Sequence, residues 1–356
     1  MNPTADQGPV WRPFALLPRA YGGPACRGVL RDRPQDFVVD EVLGFAPDGE
    51  GEHRLLRVRK TGANTEWVAR QIAAFAGVPP QAVSWAGLKD RHAVTTQWFS
   101  VQIGIDGGPD WYALAADAFE VLEAHRHRRK LRIGALAGNR FRIRIRRLVG
   151  DSLELVRRLD QVSRRGVPNY FGEQRFGRGE GNLHRVQALL AGEIRRPSRH
   201  QRGLWLSAAR SQLFNEVLAL RVERGDWDQP LAGDCMQLAG SRSFFVTEAV
   251  DQALGDRIRA GDIHPTAPLW GRGRSAAAGE AGKVEEAALS GFASWAEGLA
   301  AAGLDQERRA LRLLARDWSW GWVGEDGLEL AFSLPAGAYA TAVLREIIAW
   351  DAAQEG

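Results

Sequence analysis

The sequence predicts an α+β fold in two domains, the first assembled from both ends of the chain. Three observations lead there. Stretches of period-two alternation crowd the N-terminal half, a Gly-rich and mostly helical block begins near residue 165, and a single strand and helix return at the end. A length of 356 residues suits about two domains, and with 45% hydrophobic residues the chain can bury a sizeable core. Taken in order, residues 28–59 read as two or three strands, with Phe37, Val39 and Glu41 on one face and Val38 and Asp40 on the other. Asn64 or Thr65 can cap a helix that carries Trp67, Val68, Ile72 and Phe75 and ends near Gly77. Pro79-Pro80 starts a short turn into Val83-Ser84-Trp85. Strands follow at 95–103 and 140–148, then a helix at 151–165. Segments 182–190, 207–224 and 285–316 look predominantly helical, and the Gly/Ala/Ser tract 272–282 reads as an exposed loop. Residues 328–333 return to strand and 339–350 to a closing helix. No internal repeat is visible.

Composition excludes several classes. Two cysteines, Cys26 and Cys235, lie far apart and form no CxxC pair, so neither a disulfide framework nor a structural zinc site is expected. No apolar run is long enough for a signal peptide or a membrane span, which fits a reducing cytoplasm. The net charge of +4 is modest, but of 47 cationic residues only Lys60, Lys89, Lys130 and Lys283 are lysines. Arg grips phosphate through a planar fork and stacks on bases, so its placement matters more than its total. One dense run is His125-Arg126-His127-Arg128-Arg129-Lys130-Leu131-Arg132. A second, Arg140–Arg147, alternates Phe141, Ile143 and Ile145 with Arg142, Arg144 and Arg146. Three Arg on one sheet face repel one another, and a polyanion would supply the counter-charge. Arg128, Arg129, Lys130, Arg142 and Arg144 are therefore the RNA-binding candidates.

Ala86-Gly87-Leu88-Lys89-Asp90-Arg91-His92-Ala93-Val94-Thr95-Thr96-Gln97-Trp98 sets one carboxylate among Lys89, Arg91 and His92. Gly87 is expected to free the backbone before it. An acid in a cationic pocket keeps its charge when desolvated, with a pKa lowered by ~1–3 units, so Asp90, held ionised by Lys89 or Arg91, is a candidate nucleophile or base; on the triplet alone, solvated surface charge is the commoner reading of Lys-Asp-Arg in a loop. Asp40 and Glu41 alternate faces of one strand and cannot act together. Gly177–Asn182 lacks the spacing of a nucleotide-binding loop, and neither a Ser-His-Asp pattern nor a metal-ligand cluster is recognisable.

The Ala86–Trp98 segment resembles the signature of the TruD family, the tRNA pseudouridine-13 synthases. Val167-Pro168-Asn169-Tyr170-Phe171-Gly172-Glu173-Gln174-Arg175-Phe176-Gly177 is similar to a second family motif. Shorter matches are Asp36–Glu41, Gly138–Phe141, Leu206–Ser211 and Leu334–Thr341, all in the family's order. The resemblance implies a pseudouridine-synthase catalytic domain, a mixed and mainly antiparallel sheet with helices, at residues 1–164 plus 314–356. It implies an inserted, RNA-binding α/β domain of the family at 165–313. It further implies Asp90 as the catalytic residue and Phe37, Asn139 and Phe141 as substrate contacts, with Tyr339 where the family commonly has Phe. Lys89 joins the substrate-binding set. Isomerising uridine 13 of the tRNA D-arm needs no cofactor or metal, and the implied state is a cytoplasmic monomer whose partner is tRNA. Asp90 would attack the sugar or remove a ribose proton, and the sequence leaves both routes open. The alternative is a non-catalytic tRNA- or rRNA-binding protein, which has no use for Asp90.

Overall fold

A computed structural model describes residues 8–105 and 108–352. The chain enters in β1 (Cys26–Leu30), β2 (Phe37–Val42) and β3 (His53–Thr61), then forms α1 (Thr65–Ala76). β4 (Val83–Trp85), β5 (Val94–Gln102), β6 (Ala115–Ala116), β7 (Phe119–His127) and β8 (Gly138–Gly150) follow. The alternation behind these strands is visible in their burial. In β2, Phe37, Val39 and Glu41 are buried while their neighbours are not, and in β8 the buried set includes Phe141, Ile143 and Ile145. α1 ends where Gly77 takes a left-handed φ of 65°, a conformation glycine adopts without a Cβ penalty. Its buried residues Val68, Ala69, Ile72 and Ala73 join Leu56, Val58, Phe99 and Val101 of the sheet. Leu55, Ala86, Trp98 and Leu131 form a smaller cluster on the other face.

The chain then runs through α2 (Ser152–Arg165), β9 (Val167–Pro168), α3 (Gly181–Leu190) and α4 (Arg199–Arg224). The long α4 starts earlier than expected, because Ser198 and Gln201 form a capping box. β10 (Cys235–Leu238), β11 (Phe244–Val246), α5 (Gln252–Ala260) and β12 (Ile263–Leu269) come next, followed by α6 (Gly279–Leu289) and α7 (Ala293–Ala301). The helix expected through residue 316 stops at α7. β13 (Glu307–Ala310) pairs antiparallel with β12, and β14 (Arg312–Leu313) with β9. Strand pairing with partners about 40 and 145 residues away is invisible to local periodicity.

β15 (Arg316–Val323) and β16 (Gly327–Pro335) return to the first sheet. The expected closing helix is only α8 (Ala340–Arg345). Ile348–Ala352 forms β17, paired in parallel with β1, so Ile348 meets Cys26 rather than continuing the helix. Among the described residues eleven strands join one sheet, in the order β15-β16-β8-β2-β5-β3-β7-β6, with β4 on β5 and β17 on β1. Most pairs are antiparallel; β2–β5 and β1–β17 are parallel. The architecture is α+β, mixed and mainly antiparallel. Contacts divide the chain into two compact units. One holds Ala25–Leu155, Ala315–Ala340 and the strand that starts at Ile348; the other holds Val156–Leu314, Thr341–Ile347 and the described residues before Ala25. The segment before Ala25 and Thr341–Ile347 thus group with the second unit, whereas the sequence expectation had put both with the first.

Candidate active site

Register in the large sheet lays a row of side chains across one face. Lys60 of β3 is opposite Thr95 of β5, Thr95 is beside Val39 of β2, Val39 is opposite Phe141 of β8, and Phe141 is opposite Phe332 of β16. One step along, Glu41, Asn139 and Leu334 form the next row. Paired residues project to the same face, so Lys60, Glu41, Asn139 and Phe141 share it with Phe37. The Phe37 and Phe141 rings meet edge to face at 6.3 Å, and Phe141 stacks on Phe332 at 5.4 Å. Asn139 presents a buried Oδ1 with no hydrogen-bond partner among the described residues. Tyr339 is half-buried in the segment leaving β16, just past the Leu334–Asn139 pair.

The loop carrying Asp90 connects β4 to β5 and is tied down residue by residue. Gln97 Nε2 donates to the Gly87 carbonyl at 3.3 Å, and the Lys89 N–H donates to Thr65 Oγ1 at 3.1 Å. Thr65 in turn donates to Gln97 Oε1 at 2.9 Å. Arg91 Nε donates to the Gly62 carbonyl at 3.1 Å. The buried Lys60 ammonium donates to the carbonyls of Asp90, at 2.9 Å, and Ala63, at 2.8 Å. Burial pulls Lys60 down to about 8, with the Asp90 charge opposing the shift. Gly87 plays no special backbone part. Its φ is not left-handed, and a Cβ there would meet nothing within 4 Å. The close approach is at Gly138, where a Cβ would lie 2.2 Å from the Leu334 carbonyl oxygen.

The Asp90 side chain is 19% exposed. One oxygen accepts from the His92 N–H at 3.0 Å, and the other lies 2.8 Å from a guanidinium nitrogen of Arg31. That guanidinium also sits 4.3 Å above the Phe37 ring. This corrects the expectation that Lys89 or Arg91 neutralises Asp90. Lys89 pairs instead with Glu41, whose carboxylate is fully buried and also accepts from the Trp98 N–H at 3.1 Å. Arg31 follows β1 directly and has a φ of 58°, uncommon for a residue with a side chain and costing ~1–3 kcal/mol. No motif or period marks Arg31 or Lys60 in the sequence, because both reach Asp90 through space from other strands.

The structure brings Asp90, Lys89, Phe37, Asn139 and Phe141 to one sheet face around that loop. It does not bring the basic candidates there. Arg142 and Arg144 alternate onto the opposite face of β8. The repulsion argument is met internally for two of the three arginines Arg142, Arg144 and Arg146: Arg144 pairs with Glu329 at 3.0 Å, and Arg146 takes Asp36 bidentately at 2.7 and 2.8 Å. Arg142 is exposed. Arg128, Arg129 and Lys130 lie past the end of β7 and line a separate cavity of about 770 Å³ with Phe45, His127 and Arg132. There the His127 ring stacks on Phe45 at 5.0 Å, Asp48 pairs with His127 and accepts from the Arg128 backbone N–H at 3.0 Å, and the Arg128 guanidinium pairs with Glu50.

Comparison with known proteins fits this geometry. The sequence model of one family, tRNA pseudouridine synthase D (TruD), matches residues 18–197 and 192–347. The chain is 52% identical over 338 residues to tRNA pseudouridine synthase D of Methylococcus capsulatus, covering 95% of this chain and 96% of the relative. It is 50% identical over 337 residues to the protein of the same name in Aeromonas salmonicida, covering 94% and 95%. In fold it resembles a crystal structure of a candidate tRNA pseudouridine synthase D from Methanosarcina mazei. That likeness has a TM-score of 0.71 at 21% identity, over 93% of this chain and 95% of that one.

Proposed function

The chain belongs to the TruD family of tRNA pseudouridine synthases, and on that premise we propose that it isomerises uridine 13 of the tRNA D-arm with Asp90 as the catalytic carboxylate. The enzyme is an isomerase. In the reaction the N1–C1′ bond breaks, the uracil turns, a C5–C1′ bond forms, C5 loses a proton and N1 gains one. Atoms balance within one nucleotide, so no redox partner or second substrate is needed. The observation that carries the assignment is the Asp90 carboxylate itself, largely shielded, fixed by Arg31 and the His92 N–H, and facing the same side as two aromatic rings. The contacts to Arg31 and the His92 N–H hold the carboxylate in place for either attack on C1′ or removal of a ribose proton.

The target base must leave its stack, at a cost of a few kcal/mol. Stacking on Phe37, Phe141 or Tyr339 returns ~1–3 kcal/mol per base. The Asn139 Oδ1, without a partner among the described residues, can accept from uracil N3–H or a ribose hydroxyl. Lys89 has one N–H engaged by Glu41 and keeps two for the substrate. We assign the phosphate grip to Arg128, Arg129 and Lys130, with Arg142 and Arg144 as an outer-face contribution and residues 165–313 as the further RNA-binding part. The test is incubation of the protein with unmodified tRNA transcripts, mapping pseudouridine by carbodiimide adducts and reverse-transcription stops. A stop at position 13 is expected from wild type and none from Asp90→Asn, with tRNA retention unchanged. Appreciable activity in Asp90→Asn, or a stop elsewhere, overturns the assignment.

A further inference from the structure

We infer that Lys60 is a positioning residue for the reaction, a buried ammonium that sets the backbone of the Asp90 loop against the turn before α1. The inference rests on the assignment of Asp90 above. Lys60 is 1% exposed, on the site face of β3, and its Nζ donates to two carbonyls from different segments. One belongs to Ala63, two residues before α1 begins; the other belongs to Asp90 itself. A buried ammonium between a rigid helix start and a loop fixes that loop's height over the sheet. The height decides where the carboxylate stands relative to C1′, and a misplacement of about 1 Å can cost on the order of 10²-fold in rate.

Among the described residues this amine has no other partner of opposite charge. The charged groups that face it are Asp90 and Lys89, both on the loop, while its cross-strand neighbours Thr95 and Phe119 are neutral. Its ammonium is lowered to about 8, which gives the role a signature. A lysine with a depressed folded value binds its proton less tightly when folded. Protein stability therefore rises as pH climbs from about 8 toward the unfolded lysine value of about 10.4. Loss of the charge beside Asp90 should lower kcat over the start of that same range. Activity and stability then move in opposite directions, which a purely structural lysine would not produce.

The experiment compares kcat, KM for tRNA and thermal unfolding across pH 6.5–10 for wild type, Lys60→Met and Lys60→Arg. Lys60→Met is expected to lose kcat by about 10- to 100-fold with KM within about threefold, to lack the alkaline limb near pH 8, and to be partly restored in Lys60→Arg. A parallel NMR titration of ¹³C-labelled lysine is simple because only four lysines exist. The exposed Lys130 and Lys283 are assigned by substitution to Gln. One buried lysine should titrate near the kinetic limb, even if Lys60→Met fails to fold. Wild-type kcat in Lys60→Met, or an activity profile flat through the lysine titration, overturns the positioning role alone. A wild type that forms no pseudouridine overturns the functional assignment and the positioning role with it.

Discussion

Arg31 does two things with one guanidinium: it pairs with Asp90 and lies over the Phe37 ring. At the residue scale this makes it the most informative position after Asp90. The left-handed backbone at Arg31 turns the chain at the end of β1, and its side chain spans from that turn to the Asp90 loop. Removing the charge leaves the Asp90 carboxylate partly shielded, with the His92 N–H as its one remaining hydrogen-bond donor among the described residues. We expect Arg31→Met to lower kcat by on the order of 10²-fold, as for other displaced catalytic groups, while tRNA affinity changes little. Single-turnover kinetics with saturating enzyme would read this directly, and a wild-type rate would remove Arg31 from the mechanism.

At the scale of elements, the site depends on how the Asp90 loop is joined to β2, β3 and α1. Glu41 of β2 and Lys89 of the loop form an ion pair whose side chains are 0% and 9% exposed. Breaking a buried pair from one side strands a charge and typically costs ~3–5 kcal/mol. Glu41→Ala should lower unfolding stability by that order, measured by urea denaturation, because it also deprives the Trp98 N–H of its acceptor. The double variant Glu41→Gln with Lys89→Met should recover part of the loss, since no unpaired charge remains. Equal destabilisation of the single and double variants would mean that the pair itself contributes little.

At the scale of the whole molecule, RNA affinity is proposed to come from phosphate contacts distributed over basic tracts. Its logarithm should fall with log salt by about 0.9 per phosphate neutralised, if the duplex DNA figure transfers. Replacing Arg128, Arg129 and Lys130 together by Gln should weaken binding and flatten that slope, with kcat at saturating tRNA unchanged. Filter binding between 50 and 300 mM salt tests it, and an unchanged slope would move the grip to another surface. Among the described residues no helix is long and apolar enough to cross a membrane.

Much of this was legible in the chain. Local alternation located β2, β5, β8 and β16, and helical spacing with Gly77 located α1, because those patterns arise within a few residues. Asp90, Phe37, Asn139 and Phe141 were nameable from short motifs. Other parts depended on partners distant in sequence. The tail Ile348–Ala352 became a strand only because β1 offered it an edge, and 307–310 did so only beside β12. The repulsion expected among Arg142, Arg144 and Arg146 was relieved at Arg144 by Glu329 and at Arg146 by Asp36. Local pattern was enough to name Asp90 as the candidate carboxylate and to put Phe37, Glu41 and Phe141 on strand faces. That Arg31, not Lys89 or Arg91, meets the Asp90 carboxylate, and that Lys60 holds its backbone, follows from folding alone. The physical reason is that ion-pair choice is set by distances of 3–4 Å and by burial, and strand register fixes those across sequence gaps that local pattern does not reach.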